Sequence, residues 1–70
     1  MTSPQRQSRI YAMREHLNAH ILMLTEELNI FFDHPVGIVN ADYFKTIEDK
    51  LCELAEYKGM LETIETEFDK

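Results

Sequence analysis

The stretch Asp33-His34-Pro35-Val36-Gly37, near the middle of the 70-residue chain, constrains the fold more than any other, because it interrupts a sequence otherwise compatible with helix throughout. Pro35 donates no backbone hydrogen bond and pushes His34 out of the α region, and Gly37 permits the positive φ that a chain reversal often uses. Two helices joined by so short a link lie antiparallel. The sequence therefore predicts a single all-α domain: helix 1 over about 4–33, a turn over 34–39, and helix 2 over about 40–69.

The flanking residues agree with that division. Ser3-Pro4 offers a capping hydroxyl followed by a proline at the first helical position, where a missing N–H costs nothing. Asn40 can cap helix 2, and Asp42 puts a carboxylate in its first turn, where the helix dipole favours it. In helix 1, Leu17, Ile21, Leu24, Leu28 and Phe31 recur in steps of four and three, extended toward the N-terminus by Ile10 and Met13. A second line, Ala12, Ala19, Met23 and Ile30, runs beside the first. In helix 2 the apolar stripe is Phe44, Ile47, Leu51, Leu54, Leu61 and Phe68, interrupted by Lys58 and widened by Tyr43, Cys52, Ala55, Tyr57, Met60 and Ile64. Leu24, Leu28, Leu51 and Leu54 are the expected core. Gly59, inside helix 2, costs about 1 kcal/mol relative to alanine unless another backbone approaches it closely.

Two helices have more apolar surface here than they can cover on each other. A small chain buries little surface relative to its entropy cost unless something staples it or another copy covers it. With Cys52 the sole cysteine, no intramolecular disulfide can form, and a reducing compartment is the expectation. The hairpin is therefore expected to assemble into an antiparallel four-helix bundle or a larger helical oligomer, with Ala12, Ala19, Met23, Ile30, Tyr57, Met60 and Ile64 at the interface. Its longest apolar run, Ile21-Leu22-Met23-Leu24, is far short of a membrane span, and the N-terminus lacks the apolar block of a signal peptide. No membrane partner and a cytoplasmic location are expected.

The net charge of −6 is unevenly placed: Arg6, Arg9 and Arg14 stand near the start, and most of the acids lie in helix 2. Folding back brings these arginines toward Glu62, Glu65, Glu67 and Asp69. Such an acidic surface repels polyanions, so nucleic acid is a disfavoured partner, confined to Arg6, Arg9, Arg14 and Tyr11, which would also be the contacts for a small anionic ligand.

No residue set calls for catalysis or a cofactor. His16 and His20 have the four-residue spacing at which two imidazoles share a metal, but nothing fixes a third ligand near them, so interface histidines are the preferred reading and no metal site is expected. No serine, histidine and acid combination suggests a triad. The carboxylates Glu48, Asp49, Glu53, Glu56 and Glu62 alternate with Lys45, Lys50 and Lys58 as an ordinary solvated face.

The run from Phe32 to Phe68 resembles small helical proteins encoded by tailed bacteriophages, which share an HP-x-G-I turn followed by an acidic helix with an I-x-x-x-L-x-x-L/I-A pattern. The matching residues are His34, Pro35, Gly37, Ile38, Ile47, Leu51, Leu54 and Ala55, over about half of the chain, and they are turn and core residues that carry no active site. The resemblance implies a virus-encoded accessory or assembly protein in the cytoplasm of an infected bacterium. In architecture the chain is also similar to plasmid copy-number regulators that dimerise two helical hairpins and bind RNA, although those need a basic face. The expectation is thus a non-catalytic protein-interaction module without cofactors, a homo-oligomer with a protein partner. The alternative is a small regulator binding RNA or an anionic ligand between protomers.

Overall fold

In the computed structural model, which describes residues 3–33 and 41–69, two helices pack against each other as an antiparallel hairpin: α1 spans Pro4–Asp33 and α2 spans Ala41–Glu67. The expected turn over 34–39 and the Asn40 cap lie outside the described residues. The rod measures 56 × 15 × 13 Å, with a radius of gyration of 16.3 Å.

The start of α1 forms as its sequence implies. Ser3 precedes the helix, its Oγ accepts the Arg6 backbone N–H at 3.1 Å, and its carbonyl accepts the Gln7 N–H at 3.1 Å. Asp42 lies in the first turn of α2. At the other end of α2 the Ile64 carbonyl accepts both the Phe68 and Asp69 N–H groups, at 3.1 and 2.9 Å, which closes the helix at Glu67 and leaves Asp69 outside it. Thr46, Thr63 and Thr66 each turn the hydroxyl back to the carbonyl four residues earlier, so these polar side chains are satisfied locally.

The core is a narrow seam. Ile10, Leu17, Leu24 and Leu28 of α1 and Ile47 of α2 are its buried residues, and Leu17 is covered to 2 % exposure. In α1 the facing positions run 10, 14, 17, 21, 24, 28, 31, and in α2 they run 43, 47, 50, 54, 57, 61, 64, 68; all but Phe68 are at least half-buried. Both sets step regularly by three and four, the repeat of a two-stranded coiled coil.

That register corrects the expected core. Leu51, taken from sequence as a core residue, is 45 % exposed, Phe44 is exposed too, and Leu54 is only half-buried. The slot facing α1 at that height belongs to Lys50, whose ammonium pairs with Glu27 across the seam. Giving that slot to Lys50 turns Leu51 and Phe44 onto one flank. Cys52 is likewise exposed rather than tucked beside the seam. A Cβ on Gly59 would meet nothing within 4 Å, so among the described residues no backbone beyond its own helical turns approaches it.

Candidate functional site

Ion pairs pin the two ends of the seam. At the open end, Arg14 Nη1 lies 2.8 Å from Asp69 Oδ2 and Nη2 lies 3.6 Å from Glu65 Oε1, while Arg6 Nη2 donates to the Phe68 carbonyl at 3.3 Å. Near the turn, Lys50 pairs with Glu27, and the Tyr43 hydroxyl donates to the Phe31 carbonyl at 2.8 Å with the two rings edge to face. The expected meeting of basic start and acidic end therefore takes a specific form. Arg14 is held through both terminal nitrogens while its buried Nε has no hydrogen-bond partner among the described residues, Arg6 finds a carbonyl instead of a carboxylate, and Arg9, Glu62 and Glu67 have no ion-pair partner among the described residues.

Between these ends the histidines are drawn into packing. His20 stacks face to face on Tyr57, with centroids 4.5 Å apart and planes 3° from parallel, and His16 meets His20 edge-on at 4.7 Å. Among the described residues no group of three histidine, cysteine or acidic side chains is placed to hold a metal ion. Tyr57 and Ile64, assigned by sequence to an interface between chains, lie half-buried on the seam of this one.

Two apolar surfaces remain, on opposite faces of the rod. The first is an open groove of about 740 Å³ toward the open end, floored by Ile10, Leu17 and Ile64 and walled by Met13, Met60 and Phe68, with Arg6, Glu56 and Thr63 at its margins. The α1 side continues from Met13 through His16 and His20 to Met23 and Ile30, the last two exposed. The second surface gathers Leu22, Phe32, Phe44 and Leu51, all exposed, in the half of the rod nearer the turn. Stepping 100° per residue from the seam sends these four to one side and the groove residues to the other. Ala12 and Ala19 are exposed and point away from α2, and Tyr11 is exposed on the side opposite the groove.

Met23, Ile30 and Met60, which the sequence assigned to an interface, are exposed, while Met13 and Phe68 as groove walls and the whole second surface were missed. The signal for the second surface was present, since Phe44 and Leu51 are seven apart, but only the Lys50 slot separates that line from the core. The sequence matches no family model, no curated protein and no solved structure. Its chemistry must therefore be read from these faces. They offer apolar area, methionine and aromatic side chains, and charges along the margins. No described helix is long and apolar enough to cross a membrane.

Proposed function

We propose that this hairpin is a non-catalytic protein-interaction module that works through its exposed helical faces, in the setting of a phage accessory or assembly protein that the tailed-phage resemblance suggests. The observation that carries this reading is the amount of large apolar side chain left uncovered: Met13, Met23, Ile30, Met60 and Phe68 around the groove, and Leu22, Phe32, Phe44 and Leu51 on the other face. An 8.3 kDa chain that leaves this much apolar surface in water is penalised at about 25 cal/mol per Å², and covering it by association removes that penalty. Among the described residues His16, His20, Tyr43 and Tyr57 spend their rings on packing.

The RNA or anionic-ligand alternative draws less support. Of its proposed contacts, Arg14 is held by two carboxylates and Arg6 by a main-chain carbonyl, which leaves Arg9 beside an exposed Tyr11 two residues away. A pull-down with the tagged chain from nuclease-treated and untreated lysate separates the two readings. The interaction reading expects a protein catch that resists nuclease, survives Arg6, Arg9 and Arg14 changed together to alanine, and is lost in Met23→Glu or Ile30→Glu. A catch of nucleic acid alone, lost with nuclease or with the arginines and indifferent to Met23→Glu, overturns it.

A further inference from the structure

The groove face carries charge in a pattern that fits a copy of itself. Along α1 the side facing the groove steps through Arg9, Met13, His16 and His20, and it meets no carboxylate until Glu27. Along α2 the facing side steps through Glu53, Glu56, Met60, Thr63 and Glu67. One margin of the groove is thus basic and the other acidic, and among the described residues none of Arg9, Glu53, Glu56 or Glu67 is engaged in an ion pair.

The area points the same way. A compact monomer of 8.3 kDa exposes about 4,600 Å², whereas this rod exposes 5545 Å², a surplus of about 950 Å². A standard protein interface removes about 800 Å² from each partner, so one face-to-face contact along the rod brings the chain to the exposure of an ordinary globule.

We infer that the groove face is covered by a second copy of this chain, related by a two-fold axis running along the rod, so that each α1 lies over the α2 of the other copy. The inference rests on the interaction reading above and names its occupant and geometry. A rotation about the long axis cannot slide one rod past the other, so residues meet at the height they already have. The contacts His20–Tyr57 and Glu27–Lys50 fix those heights. Arg9 then faces Glu67 of the second copy, His20 faces Glu56 of the second copy, and the Met13 and Met60 walls interleave across the two grooves. All four helices run antiparallel to their neighbours, the packing of an up-and-down bundle. The other face-to-face arrangement, with the two-fold across the rod, sets α1 on α1 and acidic margin on acidic margin, which like charges oppose.

The test is a charge exchange read as solution mass by sedimentation equilibrium, with circular dichroism confirming that each variant stays helical. The wild-type chain is expected at twice 8.3 kDa. Arg9→Glu and Glu67→Arg, each turning two symmetry-related attractions into repulsions, should each weaken the dimer about tenfold, and the double variant should restore it. Met60→Glu should dissociate it, and Phe44→Glu, on the opposite face, should leave the mass unchanged. If the double variant is no tighter than the singles, the two-fold along the rod is wrong. A dimer lost with Phe44→Glu and kept with Met60→Glu places the contact on the other face and overturns this inference while the interaction reading stands. A wild-type chain that remains at 8.3 kDa also overturns it; if that chain captures no protein either, the interaction reading goes with it.

Discussion

Leu17 and Leu51 are the same residue type in two helices of one hairpin, and exchanging each for alanine should have very different costs. Leu17 is 2 % exposed at the middle of the seam, so Leu17→Ala removes apolar contact and leaves a cavity, a loss of about 3–5 kcal/mol. At roughly 0.05–0.15 kcal/mol per residue the whole 70-residue fold holds only about 4–10 kcal/mol, so this single change consumes much of it. Leu51 is 45 % exposed, so Leu51→Ala gives up only about half of a leucine's transfer energy and opens no closed cavity, a cost of about 1 kcal/mol. In a domain of this size each kcal/mol moves Tm by about 4–8 °C, so Leu17→Ala should unfold the chain near room temperature or lower Tm by more than about 12 °C, against one such step for Leu51→Ala. Thermal melts followed by circular dichroism at matched protein concentration decide it. Equal losses in the two variants would refute the seam, because they would mean that Leu51 is as deeply covered as Leu17.

Two further changes probe the helices themselves. Gly59→Ala should stabilise the chain by about 1 kcal/mol, since the added methyl meets nothing of this chain within 4 Å and alanine is the better helix former; a lower urea midpoint would mean that the second copy over the groove, which Gly59 helps to line, packs on that spot. Lys50→Leu should leave stability unchanged or raise it, because an apolar residue in the seam replaces a partly shielded ion pair; a loss above about 2 kcal/mol in urea unfolding would show that the pair with Glu27 is a net stabiliser.

The hairpin was legible because its signals are local. Pro35 and Gly37 mark the break, Ser3-Pro4 marks a start, and Leu17, Leu24 and Leu28 carry a repeat that no other element contests. In α2 the signal was ambiguous. The lines 43-47-50-54 and 44-47-51-54 share half their members, and counting apolar residues selects the one with Phe44 and Leu51. The structure selects the line containing Lys50, because Glu27 on α1 supplies the charge that lets a lysine occupy a seam position. That choice depends on a residue 23 positions away, and no periodicity within α2 encodes it. The charge approach was legible in outline, as Arg14 with Glu65 and Asp69, but the diversion of Arg6 to a main-chain carbonyl follows from where α2 ends. The stacking of His20 on Tyr57 was out of reach until the register of the two helices was known.

The narrow rod also governs how this molecule moves through solution. Its radius of gyration of 16.3 Å is that of a compact globule of about 190 residues, well beyond its own 70. Viscous drag follows extent and not mass, so a lone hairpin should diffuse as slowly, and elute from a sizing column as early, as a globular protein more than twice its mass. Side-by-side pairing thickens the rod without lengthening it, and should therefore shift the elution position much less than a doubling of mass suggests.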